Sequence, residues 1–135
     1  MVFMNRNKQN TAVILIYIIG FTIGTISHSI DIIKMGLLGY TFAPFILNAF
    51  WSSLVFIDPL VIILLFINFK TAIAIAVLVM IFDILFNLIF GLCTLNYPIL
   101  LGLITQVPFG IFVFYTANHL LRSGSLKDYL NSKLS

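Results

Sequence analysis

Four long apolar stretches dominate the chain, at 11–33, 45–67, 71–92 and 98–121, and each meets the roughly 20 residues that a helix needs to cross a bilayer. Between them lie a Gly-containing segment, 34–44, that ends in Pro44, the short turn Asn68-Phe69-Lys70, and the stretch 93–97. Links this short join helices that run in opposite senses. The pattern predicts an all-α, polytopic membrane protein: one transmembrane domain over 1–135, folded as an antiparallel four-transmembrane-helix bundle. Past residue 121 the apolar density falls. There Leu126, Tyr129, Leu130 and Leu134 recur at helical spacing opposite Lys127 and Lys133, and Ser125 with Asp128 has the spacing of a capping box. The tail 122–135 reads equally as a short interfacial helix or a frayed end.

Composition narrows the class. With 61% hydrophobic and 8% charged residues in 135, the chain cannot be a soluble domain. Its basic excess, seven Lys and Arg against four acids, reflects topology rather than an anionic partner, and nothing supports nucleic-acid binding. Placing Arg6, Lys8, Lys70, Arg122, Lys127 and Lys133 on one side leaves only Lys34 on the other, so both termini are expected in the cytoplasm. Tyr40, Trp51 and Tyr97 would then sit at the outer interface as an aromatic belt. The rival is a cleaved signal peptide, with Arg6 and Lys8 before an apolar run and small residues at Gly24 to Ser27; the run's continuation to Ile33 argues against it. Abundant Ile, Phe and Asn favour a bacterial plasma (inner) membrane. Cys93 is the single cysteine, which leaves no dithiol chemistry.

Three of the four acidic residues, Asp31, Asp58 and Asp83, lie inside these spans. An Asp at the centre of a membrane helix costs about 2.5 to 3.5 kcal/mol on insertion scales, so such residues usually face a protein interior and mark a site. Helical spacing places them on stripes. Gly20, Gly24, His28 and Asp31 share a face of the first span, and a glycine stripe predicts the side that approaches another helix. His28 and Asp31 are also spaced for direct contact. Asn48, Trp51, Val55 and Asp58 share a face of the second span, where Pro59 frees the Val55 carbonyl beside an acid, as in discontinuous helices that bind cations. The third span carries Ala72, Ala76, Met80, Asp83, Asn87 and Gly91. The fourth carries Gly102, Gln106 and Gly110, with Pro108 freeing the Ile104 carbonyl.

By depth, His28, Asp31, Asn48, Asn87 and Gln106 fall in the outer half and Asp58 and Asp83 near the midplane. That arrangement predicts a funnel open to the outside and floored by two acids, which in low dielectric cannot both ionise cheaply. No cofactor is expected. His28 and His119 lie at opposite ends of their spans and cannot share a haem, no second His stands at His28's depth for a metal, and Ser27, His28 and Asp31 along one helix do not make a triad. Three readings stay open. The funnel binds a hydrophobic or cationic amphipathic small molecule, with Trp51 as a cation–π face and acid-catalysed chemistry at a protonated acid; it is a proton- or cation-coupled transporter; or the polar groups are interhelical glue in a structural protein or homo-oligomer. Whether the chain is an enzyme is left undecided by its residues.

The set Trp51-x6-Asp58-Pro59-Leu60, Asp83-x3-Asn87 and His28-x2-Asp31 resembles the pattern of small uncharacterised bacterial four-helix membrane proteins. More remotely the chain is similar to the superfamily of emopamil-binding sterol isomerases and the sigma-2 receptor. That resemblance implies four or five helices around a cavity whose membrane acids bind cationic amphiphiles, and it carries no catalytic role to any residue here. Small multidrug-resistance transporters also have four helices, but their essential acid lies midway along the first, where this chain has Gly20 to Gly24.

Overall fold

The computed structural model describes residues 6–123, and among these there are four helices and no strand. They are α1 (Arg6–Met35), α2 (Phe45–Ile67), α3 (Phe69–Thr94) and α4 (Tyr97–Ser123). Each is long and apolar enough to cross a membrane. The fold is therefore all-helical, as the apolar runs predict, and its surface fits that class. Ile33 is 83%, Phe45 73%, Ile46 74% and Ile67 76% exposed, a surface that water would not tolerate over four helices. The proposed tail helix over 122–135 lies outside the described residues from 124 on, and the sequence's basic residues Lys127 and Lys133 lie there too.

Helix ends are set by local chemistry more than by hydrophobicity. The segment Arg6–Asn10 continues α1 beyond the apolar run because adding residues to a helix already nucleated needs no lipid and little propensity. At the expected three-residue turn, Asn68 alone separates two helices: its N–H bonds Leu64 O at 2.8 Å, closing α2, and its side chain accepts from Thr71 N at 3.3 Å, opening α3. Asn96 accepts from Ile99 N at 3.3 Å in the same way and opens α4. Pro59 and Pro108 lie within α2 and α4, and both helices run through them.

The segment between α1 and α2 is a clamped strap. Gly36 leaves α1 at φ 84 and bonds Ile32 O, as a left-handed terminating residue does. Leu38 also has a positive φ, 57, which costs a side-chain-bearing residue about 1–2 kcal/mol. Two side chains of α2 hold it there: Ser52 Oγ accepts from Leu38 N at 3.1 Å, and Asn48 Nδ2 donates to Leu38 O at 2.7 Å. Asn48 Oδ1 also accepts from Tyr40 N.

Neighbouring helices pack α1 on α2, α2 on α3 and α3 on α4, while α1 and α4 meet chiefly at one end. There Tyr17, fully buried, donates to Val113 O at 3.0 Å and lies 3.1 Å from Thr116 Oγ1. Its ring joins Phe21, Phe109 and Phe112 in a plug, with Phe21 and Phe109 edge-on at 5.5 Å. Asn10 and His119 bond at 3.0 Å further along the same end. The rest of the seam between α1 and α4 is open.

Candidate functional site

Each polar stripe meets a different fate in the packed bundle. On α3 all six residues of the small-and-polar stripe are buried, so that face points inward as its spacing predicts. Asp83 accepts from Asn87 Nδ2 at 3.0 Å one turn along the helix, and the same amide nitrogen donates to Gln106 Oε1 of α4 at 2.8 Å. The series Asp83–Asn87–Gln106 thus ties α3 to α4 and accounts for one of the two deep acids.

Asp58 differs. It is 5% exposed, it has no hydrogen-bond partner among the described residues, and its carboxyl lies against Gly24 of α1, where an added Cβ would collide with Oδ2. Gly20, a turn earlier, similarly accommodates the Phe109 ring. The glycine stripe of α1 therefore does not bring two backbones together. It gives way to side chains from α2 and α4, and the residues that bury α1 are Ile14, Tyr17 and Phe21 on an adjoining face.

Asp58 and Asp83 line a cavity of about 380 Å³ between α1 and the other helices, with Gly24, His28, Met80 and Gln106. Asp83 is within electrostatic reach of Asp58. A second cavity of about 450 Å³ lies toward the strap and the α3–α4 link, both of which contribute to its wall. Ser27, His28, Gly102 and Gln106 line both and form the neck between them.

The second chamber holds two residues that topology placed at the outer interface, one of which, Trp51, helical spacing had also put on the face of Asp58. Tyr40 and Trp51, expected in an interfacial belt, are 8% and 4% exposed; Tyr97 alone of the three is exposed. The strap carries Tyr40 inward, where its hydroxyl donates to Asp31 at 2.9 Å. Burial, then that bond and the negative charge of Asp31, hold the Tyr40 hydroxyl well above its ordinary value, so it remains a donor. Asp31 is thereby engaged by Tyr40, and no hydrogen bond joins it to His28. The His28 Nδ1 is buried without a partner. Trp51 packs edge-on against Tyr40 and Phe90, with ring centroids 5.4 and 5.6 Å away, and against Phe42 at 6.4 Å. Within this aromatic cluster Trp51 lines the strap-side chamber, and its indole Nε1 is buried without a hydrogen-bond partner.

Thus Asp58, Asp83, His28, Asp31, Asn87, Trp51 and Gln106 all line one chamber or both, whereas Asn48 lines neither and serves as the strap's anchor. A helical wheel cannot tell these roles apart, because Asn48 has the right phase and is simply used by a nearer backbone. Spacing missed Tyr40 and Phe42, which reach the site from an irregular segment without periodicity. Among the described residues no three His, Cys, Asp or Glu side chains are grouped as metal ligands would be.

The class defined by these features is a helical protein with four membrane-length helices and, among them, a two-chambered cavity whose largely apolar walls carry a few buried polar side chains. Compared with known proteins, the chain matches no family model, and neither a curated sequence nor a solved structure gives a significant match.

Proposed function

We propose that this chain is a multi-pass protein of a bacterial inner membrane that binds a cationic amphipathic small molecule inside the bilayer, with Asp58 as the counter-charge. The observation that carries the reading is the Asp58 carboxyl: nearly buried, on a cavity wall, and without a protein partner, whereas Asp83 is bonded to Asn87. A buried unpaired polar group costs about 1–3 kcal/mol, and an isolated charge far more, so the fold gains nothing from Asp58 as packing. A ligand ammonium would supply both the missing hydrogen bond and the opposite charge. The cavity's volume is in the range of small-molecule sites, and its walls are largely apolar.

In this reading α1 to α4 alternate in direction and the strap faces outward. Support comes from the contacts Asn10–His119, Tyr17–Val113 and Phe21–Phe109, where numbers rise along α1 as they fall along α4. The basic residues Lys70 and Arg122 then share the cytoplasmic side.

The test compares dodecylamine with dodecanol and dodecanoate as stabilisers of the detergent-purified protein. The amine is expected to raise the thermal midpoint of the wild type and not that of Asp58→Asn, with affinity lowered about tenfold or more, the equivalent of about 1.4 kcal/mol. Equal effects of all three amphiphiles, or an amine effect that survives the substitution, would sink the reading. Transport is the second reading, and one observation favours it: both deep acids line one chamber that shares Ser27, His28, Gly102 and Gln106 with the strap-side chamber, the kind of access from water that a proton-coupling acid needs. Amine-dependent proton movement in liposomes, abolished by Asp83→Asn, would make transport the conclusion.

A further inference from the structure

We infer that the ligand reaches Asp58 sideways from the lipid, through the seam between α1 and α4, and that its apolar tail lies in that seam when it is bound. The inference rests on the proposed binding role of Asp58 and adds a route and a ligand class: amphiphiles already dissolved in the membrane.

The wall of the Asp58 chamber contains Ile16, Ile19 and Ile23, which are also 43%, 58% and 62% exposed on the outside of the bundle. A side chain that both lines a cavity and lies on the outer surface stands at an opening. Across from these isoleucines α4 offers Gly102 and Thr105. An added Cβ at Gly102 would meet nothing within 4 Å, so the backbone there borders open space. Thr105 is exposed, and its hydroxyl is spent on Gly102 O at 3.0 Å, leaving its methyl for the seam. The border of the opening is thus apolar, though a buried acid stands within.

The two ends of the seam are closed differently. On one side the plug of Tyr17, Phe21, Phe109 and Phe112 joins α1 to α4. On the other, access from water runs through the strap-side chamber and the neck formed by Ser27, His28, Gly102 and Gln106. A twelve-carbon tail that entered by that route would first have to leave lipid for water, at roughly 0.8 kcal/mol per methylene. Entry between the isoleucines gives up nothing until the head group leaves the interface, and the head then meets Asp58.

A dodecylamine with a photoactivatable diazirine in its tail, added to phosphatidylcholine proteoliposomes, tests this. Adducts competed by unlabelled dodecylamine are expected on peptides containing Ile16–Ile23 and Thr105. Thr105→Trp and Ile23→Trp, one on each side of the seam, should each lower competed labelling about tenfold, Thr105→Ser should retain it, and Pro98→Trp, at the wall of the strap-side chamber alone, should leave it unchanged. Retention in Thr105→Ser together with a monodisperse elution of every variant separates obstruction from misfolding. Labelling that depends on Asp58 but is blocked by Pro98→Trp and not by the seam variants would overturn the lateral route and leave the binding role standing. Labelling that is neither competed nor altered by Asp58→Asn would overturn both.

Discussion

Two aspartates with nearly equal burial carry different obligations, and the difference is measurable. Asp83 is the acceptor of an amide that also reaches α4, so Asp83→Leu should destabilise the bundle by about 1–3 kcal/mol by leaving Asn87 with one partner fewer. Asp58 has no such partner, and a leucine of similar shape at that position should make the apo protein more stable by a comparable amount while removing amine binding. Thermal unfolding of the two variants in one detergent checks both signs; destabilisation by Asp58→Leu equal to that of Asp83→Leu would assign both acids to packing. Spacing alone had placed both acids inward at similar depth. The i,i+4 spacing of Asp83 and Asn87 permits their bond within α3, but spacing shows neither that Asn87 also reaches Gln106 of α4 nor that Asp58 meets no donor, because those depend on three-dimensional neighbours.

On the scale of helices, small residues do three separate jobs that their periodicity does not separate. Gly91 of α3 makes room for the aliphatic side chain of Leu100, with an added Cβ 2.7 Å from its Cδ2. Gly24 instead makes space for a carboxyl, and Gly102 borders an opening. Gly24→Ala should therefore cost about 1–3 kcal/mol through overpacking and displace Asp58. Gly102→Ala should be neutral or stabilising by up to about 1 kcal/mol, since alanine is the better helix former and has room. Chemical or thermal unfolding of this pair tests whether the glycine pattern is uniform glue or a shaped wall; equal losses at both positions would favour glue. The helix faces themselves were legible in the sequence wherever a stripe was packed from both sides, as on α3. They were less so on α1, which is packed on one side and borders a cavity on the other.

For the molecule as a whole, the strap, the neck and the plug make the two ends of the bundle different, and Cys93 reports which end faces outward. It is exposed in the last turn of α3, just before the α3–α4 link whose Asn96 lines the strap-side chamber, and it is the chain's single cysteine. A membrane-impermeant maleimide should modify it in intact cells if the strap faces out; protection until the membrane is permeabilised would invert the proposed topology. The number, length and approximate limits of the helices followed from apolar runs, because a span's length is imposed by the bilayer and its composition by the absence of water there. The inward placement of Asp58, Asp83, Asn87 and Gln106 also followed, since polar groups in lipid have only the bundle interior to occupy. What the linear pattern did not contain was the use made of those groups: Asn48 taken up by the strap, Tyr40 turned inward onto Asp31, Asn87 bridging from Asp83 to Gln106 across α3 and α4, and Asp58 left on an open wall. Those outcomes depend on which backbone or side chain arrives within about 3 Å, and periodicity constrains the direction of a residue without specifying what it meets.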